Sequence, residues 1–589
     1  MNFKISIAKD KNNINDILYI DNQPIYSIYS LEKQIKRQID SQLKSNTKNI
    51  ILFGIGLGWH LEYITNNFSN INVFAFEPIA EVYNLFNSKY YEQLKIANIN
   101  FKIFFYKSAD ELLFQFDKYL SYRNFNNLAI INIYQSIKNC EPLYSEFIAV
   151  LRTAIDTKHK NFWTSLMFSE LWQNNITENF KYLSESYPIE LLFNKFDKIP
   201  ALIIAAGPSL DKSIDEIKKY QEKFIIIAVD TALRTLIKNN IKPDFVITLD
   251  AQKYNFKDFE GIDYSDIILV YEMTVYPEIL RNYNGKKKIC YIIGRHFKDF
   301  QGQEYLKFEP LIDFLADCFE FPGYLQTGGS VSTVAFDLAR RMNCDPIVFI
   351  GQDLAYSDFK LHTSNAFDML EIYKTQSKFQ TIETFIFSHF AERSLMPVKG
   401  NYSDIVFTDL TLKHYLNWLA DGIQKMRQKV LNATLGGAYI PHTEIKRLSE
   451  FSDKYKTLNK KEMFRLTDKI KINDAALKLK LNNMLQKFSV LLDDINECIE
   501  ITKDSNIPMN SNEKSELLFQ KKKELLTLNL AIFDVYIDKY YWTLKDLQAL
   551  NLNEDNYLRY DYQLFFMILQ DGLIKIINIL KKILSNYFK

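Results

Sequence analysis

Residues 201–211 read ALIIAAGPSLD, an apolar strand run that stops on Gly-Pro-Ser and continues into the helical stretch SLDKSIDEIKKY. Such a junction opens backbone N–H groups and a hydroxyl where an apolar sheet ends, a favourable place to hold a phosphate. Gly207 permits a tight turn and close backbone approach, and Pro208 pre-sets the helical φ angle. Ser209 is expected to cap the helix, whose positive end then faces a ligand. A strand–Gly–helix turn also occurs as plain structure, so its meaning depends on the strands downstream of it.

Three more strand-like runs come in quick succession and each ends on an acid: FIIIAVD on Asp230, DFVITLD on Asp250 and DIILVYE on Glu272. A later run, PIVFIG, leads through Gly351 into Gln352 and Asp353. Short Val/Ile-rich runs separated by helical stretches such as TALRTLIKNN predict a parallel sheet covered on both faces. Ligands sit at the carboxyl ends of such strands. Ser209, Asp230, Asp250 and Asp353 therefore fall along one edge. Each acid can serve as a helix N-cap, but four at one edge favour a polar site.

The segment QTGGSVSTVAFDLARRMN (Gln326–Asn343) repeats the device. Thr327, Gly328, Gly329 and Ser330 form a polar turn, and a helix starts after them with Val334, Leu338 and Ala339 on its apolar side. Two helix starts at one sheet edge suit two parts of a nucleotide. GQDLAYSDFKLHT (Gly351–Thr363) adds Asp353, Tyr356 and His362. Tyrosine and histidine are expected near a departing phosphate as donors or proton carriers. A loop histidine is also often inert.

Together AAGPSLD, VDTALRTLIKNNIKPDFVITLDAQ, TGGSVSTVAFDLA, GQDLAY and NATLGGAYI (Asn432–Ile440) resemble the motility accessory factor (Maf) proteins, bacterial glycosyltransferases that decorate flagellin. The likeness covers about residues 155–445. More distantly, the centre is similar to bacterial CMP-sialic acid-dependent sialyltransferases: their Gly-Pro-Ser, Thr-Ser-Gly and Gly-Ile-Asp-Phe-Tyr patterns line up with Gly207–Ser209, Thr327–Ser330 and Gly351–Tyr356. The resemblance implies transfer of a nonulosonic acid, pseudaminic or legionaminic acid, from its CMP-activated form to Ser or Thr of flagellin. It implies no cofactor beyond that donor, names no metal ligand, and leaves a metal requirement open. Ser209, the backbone at Gly207, the Gly328–Ser330 turn and Tyr356 become candidates for stabilising the phosphate charge. Asp230, Thr231, Asp250 or Asp353 would meet ribose or cytosine. The base for the acceptor hydroxyl is His362, Asp353 or the departing phosphate. Two departures matter. Ala206 stands where the sialyltransferases have Asn, and MPVKGNYSD (Met396–Asp404) holds no counterpart of their catalytic histidine. Lys399 and Asn401 there are candidates for the donor carboxylate; a plain surface loop is the alternative.

Further upstream, NIILFGIGLGWHLEYI (Asn49–Ile64) is a strand, a Gly54-x-Gly56-x-Gly58 turn and a helix, and INVFAFEP places Glu77 at the end of the next strand. Glycines followed by an acid about 20 residues on form the nucleotide-cofactor fingerprint of Rossmann-like domains. Either a scaffold with a vestigial pocket or a real ligand site fits. Maf proteins are similar in having such an amino-terminal domain.

The expected fold class is α/β: a Rossmann-like domain over 1–155, a helical connector over 156–194, a sialyltransferase-like parallel α/β domain over 195–445 and an all-α domain over 446–589. Trp163 and Trp172 are expected to pack in the connector, and Tyr536–Trp542 either docks an acceptor or packs internally. At 589 residues the chain holds about three cores. Lys plus Arg is 72 against 71 for Asp plus Glu, which gives no support to a nucleic-acid partner. Five cysteines without CxxC spacing argue against zinc and disulfides and suit a reducing cytoplasm. MNFKISIAKDKNN lacks the apolar core of a signal peptide. LFFMILQDGLIKIINILKKIL, broken by Asp571 and Lys575, reads as an amphipathic helix and not a membrane span. Two rival readings stand beside the transferase: a diphosphate-transfer enzyme like the archaeal-type pterin pyrophosphokinases, and a non-catalytic flagellin-binding chaperone.

Overall fold

In a computed structural model, the short aliphatic runs become parallel strands, and the chain divides into two compact units, Met1–Met167 and Phe168–Lys589. The structure describes residues 3–588 except 45–46, 69–70, 92–99, 107–111, 113–114, 117–127, 299–303, 379–380, 394, 505–508, 510–512, 528–535, 538, 541–542 and 544–553.

The first unit opens with an antiparallel sheet of β1 (Ile5–Lys9), β2 (Asp16–Ile20) and β3 (Gln23–Pro24). A parallel sheet follows, built from β4 (Asn49–Phe53), β5 (Asn72–Glu77), β6 (Asn100–Phe105) and β7 (Leu128–Asn132) in the order β6-β5-β4-β7. All five residues of β4 are buried, as a strand covered on both faces requires. The glycine turn leads from β4 into the helix Trp59–Asn67, and this is the expected Rossmann-like half.

The second unit is organised around a larger parallel sheet. Its strands are β8 (Tyr187–Pro188), β9 (Ala201–Ile204), β10 (Ile225–Val229), β11 (Phe245–Thr248), β12 (Ile268–Glu272) and β13 (Lys288–Ile293), with β16 (Tyr324–Leu325), β17 (Ile347–Ile350), β20 (Val430–Asn432) and β21 (Glu444–Ile445). The ribbons β14 (Arg295–Lys298)–β15 (Glu304–Lys307) and β18 (Met396–Val398)–β19 (Val406–Thr408) are antiparallel. The main order is β16-β13-β12-β11-β10-β9-β17-β20-β21, with β8 also on β13. Strands β9 to β13 step to one side, and β17 and β20 return on the other. The order therefore reverses between β9 and β17.

Alternation within the strands separates two cores. Ile203, Ile227 and Ile247 pack with Val334, Phe336 and Leu338 of the helix Val331–Arg341 on one face. Leu202, Ile204, Ile226 and Ala228 pack with Leu210, Ile217 and Leu236 on the other. A third cluster joins Leu269 and Tyr271 to the carboxyl-terminal helices Asp474–Lys503, Glu513–Thr527 and Glu554–Tyr587. Among the described residues one helix, Asn556–Tyr587, is long and apolar enough to cross a membrane, and half of its most apolar window is buried within the protein. Phe565, Leu573, Ile576 and Leu580 are among the buried residues of this helix. Tyr536 and Tyr540 are also buried, so they pack internally instead of presenting an acceptor surface. Residues 538, 541 and 542 of that segment lie outside the described residues.

Candidate functional site

At the reversal between β9 and β17 the loops after the two strands meet. Gly207 N–H donates to the Gly351 carbonyl at 2.8 Å. A Cβ on Gly207 would lie 2.1 Å from Asp353 Oδ1, and Gly351, at φ +66°, leaves no room beside the Ala205 carbonyl. The glycines let Asp353 into the turn. Ser209 Oγ donates to Asp353 Oδ1 at 2.6 Å, and Ser209 N–H points to the same carboxylate at 3.3–3.4 Å. Two expectations are corrected here. Ser209 does not cap the helix Leu210–Tyr220, because its backbone is already helical at φ −68°, ψ −13°. The donors read as a phosphate cradle are held by Asp353, itself 2% exposed with its carboxyl pushed up by burial. Pro208 is buried in the same turn.

The far side of this knot is NATLGGAYI. Ala438 N–H donates to the Asp353 carbonyl at 2.7 Å, and Gly437, at φ +71°, admits that carbonyl where a Cβ would lie 2.3 Å away. Asn401 Nδ2 donates to the Gly436 carbonyl at 2.6 Å and Asn401 Oδ1 accepts from Asn432. Asn401 thus supports the turn. Lys399 places its ammonium 4.8 Å over the Tyr439 ring.

Beside the knot, the ends of β10 and β11 gather acids. Asp230 is buried, with Oδ2 accepting from Thr248 Oγ1 and Asn255 Nδ2 and Oδ1 from Thr231 N–H. It is satisfied internally. Asp250 is partly exposed and accepts from Gln252 N–H at 2.9 Å. Asp258, on the short helix Phe256–Phe259, is 8% exposed; burial, with the charges of Asp230 and Asp368, pushes its carboxyl up to about 7. His362 Nδ1 lies 2.6 Å from Asp368 Oδ2. Burial alone would lower the imidazole pKa; the Asp368 hydrogen bond and the charges of Asp368, Asp258 and Asp353 outweigh it and raise it. The loop carrying His362 is fixed: Thr363 N–H donates to the Ala206 carbonyl at 2.8 Å, and Ser364 Oγ donates to Asp211 at 2.6 Å. His362 therefore belongs to the β9 end and keeps a side chain 44% exposed.

Tyr356 leaves the same loop toward a different partner. Its hydroxyl donates to Asp409 Oδ2 at 2.7 Å and accepts from Arg393 Nη1 at 2.8 Å, while its ring lies 4.7 Å from Phe390. The second helix start is formed as expected. Ser330 and Thr333 make a reciprocal capping box, Thr327 Oγ1 accepts from Gly329 N–H, and Thr333 Oγ1 accepts from Gly328 N–H. Trp418 closes on Gly328 and Tyr415 on Gly329, leaving Gly329 exposed and Ser330 half-buried. Val331 packs against the cluster containing Ala206 and Val229, which places this start on the same sheet edge.

The sequence motifs do not single out Asp258, Asp368, Asp211, Arg393 or Asp409. Asp368 follows His362 by six residues at the start of the next helix, a spacing that is available as a signal. The others meet their partners only through the fold.

In the first unit the fingerprint glycines serve tyrosines. Glu77 is fully buried and accepts from Ile55 N–H at 2.8 Å, Ile79 N–H at 2.9 Å and Tyr134 OH at 2.5 Å. Burial still pushes its carboxyl up to about 7. Gly54 and Gly56 have positive φ, and added Cβ atoms would meet the Tyr134 ring and the Tyr26 hydroxyl. The glycine turn is thus crowded by the protein's own side chains, which favours the scaffold alternative.

Comparison with known proteins agrees with this architecture. The family described as 6-hydroxymethylpterin diphosphokinase MptE-like matches residues 174–359. An uncharacterized protein of Treponema pallidum (strain Nichols) is 31% identical over 116 residues, 20% of this chain and 54% of that protein. A second from the same organism is 23% identical over 243 residues, 41% of this chain and 40% of that protein. The chain thus spans about half or less of the length of these relatives. The structure of the Maf glycosyltransferase from Magnetospirillum magneticum AMB-1 superposes with a TM-score of 0.60 at 14% identity, covering 99% of this chain and 92% of that one. The chain therefore carries an MptE-like segment and is built on the fold of the Maf glycosyltransferases, the family its sequence blocks resemble.

Proposed function

We propose that this protein is a glycosyltransferase that moves a nonulosonic acid, pseudaminic or legionaminic acid, from its CMP-activated form to a Ser or Thr hydroxyl of flagellin in the cytoplasm. The observation that carries the reading is the His362–Asp368 pair at the reversal point of a parallel sheet, beside a polar helix start. In the reaction the bond from the anomeric carbon to the CMP phosphate oxygen breaks and a bond to the acceptor oxygen forms. Neutral His362 takes the acceptor proton, and Asp368 orients the ring and stabilises the imidazolium that results. The first turn after Ser330, together with Tyr356 and Arg393, faces the charge growing on the departing phosphate. Asp250 meets ribose or cytosine. Asp353, Ser209, Gly207 and Gly351 hold the loops in register, and Lys399 and Asn401 lie on the flank assigned to the donor carboxylate.

The MptE-like match favours a second reading, diphosphate transfer from ATP. Thermal shift separates the two: CMP should raise the melting temperature and ATP with Mg²⁺ should not. No protection by either nucleotide supports the chaperone reading. Co-expression with flagellin and each sugar pathway, followed by intact mass, tests the whole assignment. A mass increment of one nonulosonic acid, lost in His362→Ala, is the expected result. Unmodified flagellin in every pathway background removes the transferase reading.

A further inference from the structure

At the Tyr356 corner the hydrogen bonds divide the work among three side chains. Asp409 is 5% exposed and caps the helix Leu410–Gln424, with Oδ1 accepting from Leu412 N–H at 2.8 Å. Its Oδ2 accepts from Tyr356 OH at 2.7 Å and from Arg393 Nη1 at 2.6 Å. Burial would raise the Asp409 carboxyl, but the hydrogen bonds from Leu412 N–H, Tyr356 and Arg393 outweigh it and hold it below its ordinary value. The carboxylate is therefore ionised and can only accept. A phenol has one proton, and that of Tyr356 goes to Asp409. Its oxygen in turn accepts from Arg393 Nη1 at 2.8 Å. Tyr356 thus has no proton left to give a phosphate.

Arg393 does have donors left. Both of its bonds to this pair leave from Nη1; among the described residues Nε and Nη2 have no partner, and the side chain is 42% exposed. The Nε–Nη2 edge of a guanidinium carries two parallel N–H groups, the fork that matches two oxygens of a phosphate. Asp409 shares its charge with the start of the helix it caps, so the far edge of the guanidinium keeps its pull on an anion.

The corner is fixed, and one helix ties it to the second helix start. The Tyr356 ring packs against Phe390 at 4.7 Å, and Tyr356 N–H donates to the Phe407 carbonyl. Tyr415 and Trp418, on the helix that Asp409 caps, close on Gly329 and Gly328. From Asp409 to Tyr415 is about 9 Å along the helix axis, within the length of a nucleotide. We infer that Arg393 is the residue that binds the phosphate of the donor, and that Tyr356 and Asp409 are positioning residues that aim its guanidinium. This rests on the nucleotide-donor reading above and deepens it, moving the phosphate contact from the phenol to the guanidinium.

Calorimetric titration of the full chain with CMP and with cytidine tests the assignment, because the two ligands differ only in the phosphate. Wild type should bind CMP at least about tenfold more tightly than cytidine. Arg393→Gln should weaken CMP about tenfold or more and leave cytidine unchanged, which also shows that the variant is folded. Arg393→Lys keeps the charge without the fork and should fall between. Tyr356→Phe should weaken CMP about threefold alone and not at all beside Arg393→Gln, a non-additivity that a purely structural role would not give. Full CMP preference in Arg393→Gln overturns the assignment and leaves the transferase reading standing. If that variant loses cytidine as well, full preference in Arg393→Lys overturns it instead. A Tyr356→Phe loss that persists undiminished beside Arg393→Gln also overturns it, since the phenol would then touch the phosphate itself. Wild type that binds neither ligand takes down the donor reading and this assignment together.

Discussion

Asp258 offers a measurement of how closed the candidate site is. Its carboxyl, ordinarily at 3.8, is pushed up to about 7 by burial and by the neighbouring Asp230 and Asp368, with His362 and Arg234 opposing. A raised carboxyl pKa means the folded state holds the proton more tightly than the unfolded chain does. Stability is therefore lost as pH rises from about 3.8 to about 7 and is level above that. At about 1.4 kcal/mol per pH unit, the full penalty is ~4 kcal/mol, a ceiling because the acids are coupled. Asp258→Asn removes the titration while keeping the shape. Its stability relative to wild type should rise by up to ~3 kcal/mol between pH 4.5 and pH 8, read from urea unfolding followed by intrinsic fluorescence. The comparison across pH cancels whatever the substitution costs for other reasons. A difference that stays constant to within about 0.5 kcal/mol across that interval would mean that Asp258 ionises like a solvated aspartate. The acids at the β10 and β11 ends would then lie open to water, and the reasoning about a desolvated pocket would fail.

Asp368→Asn should bring the His362 pKa down toward an ordinary imidazole, moving the acid limb of the transfer pH profile to lower pH with CMP affinity retained; an unmoved limb takes His362 out of the proton transfer. Ser209→Ala strips the buried Asp353 carboxylate of its 2.6 Å donor and should cost about 1–3 kcal/mol in urea unfolding, whereas no loss would mean that another group satisfies Asp353. Gly437→Ala places a Cβ 2.3 Å from the Asp353 carbonyl at φ +71° and should cost at least about 2 kcal/mol; full stability would show that the turn can relax. In the first unit, S-adenosylmethionine and NAD should leave the melting temperature unchanged, because Tyr26 and Tyr134 crowd the glycine turn; a rise with either would show that the tyrosines move aside.

The sheet of the second unit is legible in the sequence because its strands bury both faces. Ile225–Val229, Phe245–Thr248 and Ile347–Ile350 have no alternative to a covered parallel sheet, and their residues are buried throughout. The start at Ser330 is legible for a local reason, since Ser330 and Thr333 satisfy each other within one turn. Ser209 misleads because capping depends on the backbone angle of the cap residue, which composition does not report. Its actual partner, Asp353, is 144 residues away. Arg393 and Asp409 are hidden for the same reason: Tyr356 brings them together only after the β18–β19 ribbon folds back, with Tyr356 N–H donating to the Phe407 carbonyl at 2.9 Å. Contacts that close inside a helical turn can be read from the chain. Contacts that close through the sheet cannot.

The two parallel sheets of this chain make the point more sharply, because each places glycines and an acid at its reversal point. In the first, the acid's hydrogen-bonding capacity is spent: Glu77 takes two backbone N–H groups and the Tyr134 hydroxyl, and the glycines exist to admit two tyrosine side chains. In the second, Gly207, Gly351 and Gly437 likewise admit the chain's own Asp353. Glycine there builds a joint between loops and not a phosphate cradle. What separates the two sites is the neighbouring group that the joint leaves reachable. His362 is held at Nδ1 by Asp368 and anchored through Thr363 to the end of β9, yet remains 44% exposed. A missing Cβ marks a close approach without saying what approaches. A fixed, hydrogen-bonded, solvent-accessible pair at the reversal point does carry chemical information, so the transfer reading rests on His362 and Asp368 more than on the glycine motif at this edge.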